Sequence, residues 1–320
     1  MNKREKMSTL FIIGNGFDLA HGIPTQYRNF RNFVDEMYPN AKIYQGDTIY
    51  LEDFIDIDAD ELSAEILLNT MDKVCGSDWN NFEESLAHLN FTDKFPKLVH
   101  ETDETDEEDN AKSLQYLLYM DRLTNGFAKC AELWQEFFRL WIKNVEQGIE
   151  SGEYHAKREL QQLFFEPNIK FLNFNYTKTL QVLYGIKSVT HIHNRVGQKL
   201  IFGHGEDDVI YDANDDKELL FYATSLNDIG MSFRKNTMTQ LKKYEKFFKK
   251  LNTDIDKVYS YGFSYSKVDS IYIKLIINSI APDAIWFFTK FDAQDREGLR
   301  RKKVKLRNYG FKGSFDIYDV

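Results

Sequence analysis

The chain has 320 residues, 42% hydrophobic and 15% aromatic, enough for a substantial ring-rich core, and it carries a formal net charge of -9. That acidic balance disfavours a general DNA-binding surface and leaves room for a local basic patch along Arg234-Lys235 and Lys242 to Lys250. Two cysteines, Cys75 and Cys130, exclude a four-cysteine zinc site and argue against a disulfide framework, and no apolar run suits a signal peptide or a membrane span, so a soluble, cytoplasmic protein is expected.

The first element is a continuous apolar strand at residues 10–13, of the kind found in buried parallel sheets. It runs into Gly14-Asn15-Gly16, with Asp18, His21 and Gly22 following. Glycines at a strand exit let backbone approach a phosphate and offer free N–H donors. The dinucleotide fingerprint fails, because Leu19 stands where its third glycine belongs. Residues 27–37, 61–73, 80–89 and 112–166 read as helical, with Leu133, Trp134, Phe137, Phe138, Leu140 and Trp141 near helical spacing. The run from Glu101 to Asp109 reads as a solvated acidic loop.

Strand-like runs resume at 169–174, 189–193, 200–202, 257–261 and 284–291. A helix is expected at 266–280, and an edge strand at 315–320. This alternation predicts an α/β fold. Residues 1–30 and 167–320 form a Rossmann-like parallel-sheet, nucleotide-binding core, and 31–166 form a large, mostly helical insertion.

Ligands of such sheets bind beyond the carboxyl ends of the strands, which singles out five polar strand exits. They are Gly14-Asn15-Gly16 with Asp18 and His21, Asn173 to Thr177, His191-Ile-His193-Asn194, Gly203-His204-Gly205, and Gly262-Phe-Ser264 leading to Asp269. Asn173 and Asn175 share a strand face. Helix capping explains one polar residue there more readily than two. His191 and His193 also share a face but lack an acidic or cysteine partner at ligand spacing, so no metal is expected. Gly-x-Ser is not a nucleophile elbow, because Ser266 replaces the second glycine.

Taken together, Ile13-Gly-Asn-Gly-Phe-Asp-Leu-Ala-His-Gly-Ile-Pro-Thr25, Phe171-Leu-Asn-Phe-Asn-Tyr-Thr177, His191-Ile-His193, Phe202-Gly-His-Gly205 and Tyr261-Gly-Phe-Ser264 resemble AbiH, the bacterial phage abortive-infection family. The resemblance covers nearly the whole chain and implies a role in antiviral defence. A more remote resemblance is to sirtuin-like defence NADases. Gly14-x-Gly16 followed by Gly22-Ile-Pro24 is similar to the sirtuin phosphate loop, Asn175-Tyr-Thr177 to an Asn-Tyr-Asp motif, and Gly262-x-Ser264 to the adenosine loop. Thr177 and Asn194 depart from the family's aspartate and glycine.

This second resemblance implies NAD+ as substrate or ligand, with Asn175 and His193 catalytic. Gly14, Asn15, Gly16, Asp18, His21, Gly22, Asn173, Thr177, His204, Gly262 and Ser264 would contribute to binding. A phage-derived trigger and a homo-oligomer are the expected partners. Three alternatives stand beside this reading: a module that senses a nucleotide without cleaving it, a metal-dependent nuclease or nucleotide hydrolase using His191, His193 and His204, and an interaction protein. The insertion aromatics are read first as core.

Overall fold

The computed structural model describes residues 8–41, 48–50, 58–89, 97–99, 109–205, 228–251 and 255–320. The expected acidic loop lies outside them, apart from its last residue. The chain divides into two compact units. One contains Met1–Gln26, Ile142–Ile201 and Asn236–Val320, and the other Tyr27–Trp141 and Phe202–Lys235.

The first unit is built on strand β1 (Ser8–Ile13), every residue of which is buried. Helix α1 (Asn15–Ala20) follows directly. In the second unit come α2 (Tyr27–Met37), β2 (Thr48–Tyr50), α3 (Ala59–Cys75), α4 (Phe82–Ser85) and β3 (Lys97–Val99). Helix α5 (Asp109–Glu150) begins in the second unit and ends in the first. The first unit continues with α6 (Arg158–Phe164), β4 (Ile169–Asn173), α7 (Thr179–Tyr184) and β5 (Val189–His191). After Asn236 it holds α8 (Thr237–Lys243), α9 (Glu245–Lys249), β6 (Ile255–Tyr261), α10 (Ser270–Ser279), β7 (Ile285–Thr289), α11 (Lys290–Gln294), α12 (Arg296–Asn308) and β8 (Ser314–Tyr318).

Six of these strands form one sheet in the order β5-β4-β1-β6-β7-β8, and every pairing is parallel. Renumbered along the sheet this is 3-2-1-4-5-6, the doubly wound order of dinucleotide-binding folds. The direction of winding reverses between β1 and β6, so the topological switch point lies where the exits of those two strands meet. The fold is α/β and Rossmann-like, as the alternation of runs predicts. Strand period puts Phe11, Ile13 and Phe171 into one apolar layer with Phe164 and Leu180, and Leu10, Ile12, Leu172 and Phe174 into the other with Tyr272, Ile276 and Trp286. The C-terminal strand β8 is the sheet's edge, as its composition suggests.

Residues 200–202 form no strand. Ile201 N–H makes one bond to the His193 carbonyl, with no ladder to extend it. The second unit contains a feature that helical spacing does not announce, a parallel two-stranded sheet of β2 and β3. Its core is aromatic: Phe30 packs edge-on against Trp79, Phe82 and Phe138, and Trp79 stacks on Phe82. Trp79 and Phe138 are fully buried, so these rings are packing residues. Lys235 is also buried, bonded to Glu83 at 2.7 Å, and does not extend a surface basic stretch. Among the described residues, no helix is long and apolar enough to cross a membrane.

Candidate functional site at the carboxyl edge of the sheet

The switch point is made of backbone on backbone. A Cβ on Gly14 would stand 2.6 Å from the Gly262 carbonyl oxygen, and one on Gly262 would stand 2.4 Å from Gly16 Cα. Gly262 also has φ +62, a left-handed conformation that favours glycine. The Gly16 N–H donates to the Gly262 carbonyl at 3.0 Å and the Gly14 N–H to the Tyr261 carbonyl at 3.0 Å. These two donors are therefore engaged within the chain, which corrects the reading of them as a free phosphate cradle. Asn15 and Ser264 are exposed. Asn15 Nδ2 donates to the Thr25 carbonyl at 2.8 Å, folding the following turn back onto the strand exit.

Asp18, Asn173, Asn175 and Thr177 come together in one buried group. Asn173 Oδ1 accepts the Asn175 N–H at 2.9 Å, and Asn175 Nδ2 donates to the Gly14 carbonyl at 3.1 Å, tying the exit of β4 to that of β1. Thr177 and Thr179 donate their hydroxyls to the two oxygens of Asp18 at 2.6 and 2.8 Å. Burial pushes the Asp18 carboxyl up to about 6, against the opposing effect of those hydroxyl donors. Glu146, also buried, accepts the Lys178 N–H at 2.9 Å from behind the same loop, and burial raises its pKa too.

His193 belongs to a different group. It is 3% exposed, and its Nε2 lies 3.1 Å from Asp269 Oδ1. Asp269 Oδ2 accepts the Ser266 hydroxyl at 3.0 Å. The His193 ring packs near Phe174 and Tyr272, with centroids 5.6 and 6.1 Å apart. Asn173 continues the face of Phe171 and Phe174 that of Leu172, and because β5 ends at His191 the turn that follows carries the His193 ring beside Phe174.

The other candidate histidines, His191, His21 and His204, are held by the fold. His191 is buried, with Nδ1 3.1 Å from the Asn175 carbonyl and Nε2 2.7 Å from Gln181 Nε2. This network assigns an Nδ1–H tautomer, and burial lowers the pKa to about 4. His21, half-buried, lies between the Phe17 carbonyl at 2.7 Å and the Tyr184 hydroxyl at 2.5 Å, and burial lowers its pKa. Gly22 follows at φ +77 with open space around it. His204 lies in the second unit, where Nε2 meets the Gly230 carbonyl at 2.8 Å. Among the described residues, no three His, Cys, Asp or Glu side chains gather as metal ligands.

Asp269, noted at the end of the Gly-x-Ser strand exit, carries no expected role from the sequence, and Thr179 is not singled out there at all. The chain matches none of the curated proteins and none of the solved structures with which it was compared. The family model described as bacteriophage abortive infection AbiH matches residues 10–290, from β1 to just beyond β7, and the chain belongs to that family.

Proposed function

We propose that this AbiH-family protein acts in phage defence by hydrolysing the N-glycosyl bond of NAD+. Membership of the family supports the abortive-infection role itself. The observation that carries the enzymatic reading is the buried His193–Asp269 pair, at 3.1 Å, at the carboxyl edge of a sheet with dinucleotide-binding strand order. A carboxylate this close to the imidazole can orient it for proton transfer.

In the proposed reaction a water oxygen attacks the ribose C1′ of NAD+. The bond from C1′ to the nicotinamide nitrogen breaks, and its electron pair neutralises the pyridinium ring. The water's proton passes to His193. Because the leaving group starts as a cation, no strong acid is required, and the protein's task is to place the water and stabilise the oxocarbenium-like ribose. Asn175, fixed by the Gly14 carbonyl and Asn173, is the amide that orients ribose hydroxyls and water. The Gly262–Ser264 turn and exposed Asn15 flank the path of the pyrophosphate.

The test is chromatography of NAD+ incubated with the purified full chain, alone and with lysate from phage-infected cells. Release of nicotinamide and ADP-ribose, abolished by His193→Ala and by Asn175→Ala, is the expected result. NAD+ left intact under both conditions, or turnover unchanged in both variants, would overturn the assignment. Tight calorimetric binding without product would point instead to nucleotide sensing.

A further inference from the structure

A net charge of -9 averages over the whole chain, yet α12 concentrates cations on one short surface helix. It carries Arg296, Arg300, Arg301, Lys302, Lys303, Lys305 and Arg307, against Glu297 as its one acidic residue. Leu299 and Leu306 anchor the helix in the apolar layer beneath it. Three of its cations are engaged within the chain. Lys302 meets Asp292 at 2.5 Å, Lys305 donates to the Tyr265 carbonyl at 3.1 Å, and Arg307 donates to the Phe311 carbonyl at 2.7 Å and lies over the Phe315 ring. The outer face is a column of Arg296, Arg300, Val304 and Arg307 at helical spacing, beside Arg301 and Lys305. Arg300 and Arg301 are more than half exposed and share only Glu297, at 2.8 and 3.8 Å.

We infer that the outer face of α12 binds the phosphate backbone of double-stranded DNA. Charge complementarity acts locally, because at physiological salt the acidic remainder of the surface is screened beyond about 8 Å. A thirteen-residue helix is roughly 20 Å long, and along that distance a duplex presents roughly twelve phosphates. An anionic membrane fits less well, since an interfacial helix must offer an apolar face to the lipid, and Leu299 and Leu306 are committed to the core. The outer face carries no aromatic ring on which single-stranded bases could stack. The B-form major groove admits a helix, whereas that of duplex RNA is too narrow.

The test uses fluorescence anisotropy of the full-length protein with a labelled mixed-sequence DNA duplex over a salt series. Arg296, Arg300 and Arg301 are the residues to change, being exposed and outside the contacts of Lys302, Lys305 and Arg307. The variant R296Q/R300Q/R301Q should bind more than tenfold more weakly at low salt and reduce the log–log salt slope by about 2.7, or about 0.9 per charge. R296Q alone should reduce it by about 0.9. R296K/R300K/R301K should bind like the parent, which separates charge from a structural effect. The inference is overturned by no binding at about 50 mM salt, by an unchanged slope in the glutamine variants, or by failure of the lysine variant. Tighter binding to phosphatidylserine vesicles or duplex RNA than to DNA would also overturn it. Nicotinamide release is a separate readout, so this surface and the proposed NAD+ site stand or fall independently.

Discussion

The Thr177 hydroxyl donates to Asp18 Oδ2 at 2.6 Å, joining residues at the exits of two neighbouring strands. The carboxylate reaches the exit of β4 from α1. The consequence is a buried acid held at the strand exits by hydroxyls rather than by a cation.

Asp18 and His191 should give the protein opposing pH dependences that nearly cancel. Folded Asp18 keeps its proton up to about 6, from an ordinary value of 3.8. In that window the unfolded chain binds fewer protons, and stability falls as pH rises, by on the order of 3 kcal/mol. His191 behaves in the reverse sense: unfolded, it takes a proton near 6.5, and folded, only near 4. Stability then rises with pH across that window by a similar amount. Asp18→Asn should expose the rising limb and His191→Gln the falling one, in urea denaturation from about pH 4 to 7. A pH profile for Asp18→Asn that matches the parent would refute this account.

Gly262→Ala should be far more damaging than Gly22→Ala. Both positions have positive φ, but the Cβ at Gly262 would collide with backbone of the β1 exit, whereas that at Gly22 meets nothing within 4 Å. About 3 kcal/mol or more is expected at Gly262 and about 1 kcal/mol at Gly22, from chemical denaturation. Equal losses would mean that the close approach of the loops contributes nothing.

Asp269 is expected to act through His193. Asp269→Asn should lower the turnover of NAD+ by about a hundredfold, with KM little changed. Adding His193→Ala in that background should cost much less than it does in the parent. Multiplicative losses, measured as kcat, would show that the two residues work separately.

In the second unit, Asp72 joins Arg31, through two bonds of 2.8 and 2.7 Å, to the Trp79 indole N–H at 2.7 Å. Asp72→Ala strands both donors and should destabilise the protein by about 2–3 kcal/mol. A melting temperature within a degree or so of the parent would show that water replaces the carboxylate.

The parallel sheet was legible because its inner strands are short apolar runs ending in glycine or amide residues. The ends of the runs were less so. Residues 189–193 read as one strand, but it stops at His191, and Asn194 turns the chain with φ +63. What the sequence withheld was pairing at distance. Nothing local connects Thr177 with Asp18 or Asn175 with Gly14, because topology alone brings neighbouring strand exits together. Nor does strand period place His193, because β5 ends at His191 and the turn that follows carries the ring beside Phe174. The cations of α12 stand in plain sequence at 300–307, but which of them the fold engages and which it leaves exposed depends on the packing of Leu299 and Leu306.

The meeting of Gly14, Gly16 and Gly262 leaves the loops after β1 and β6 no room to move past one another. They are wedged together and bonded through the Gly16 N–H, so displacing the Gly262 turn would strain the first turn of α1. Asp18 rides on that turn. Contact made on one half of the sheet would thereby be transmitted mechanically to a buried acid on the other.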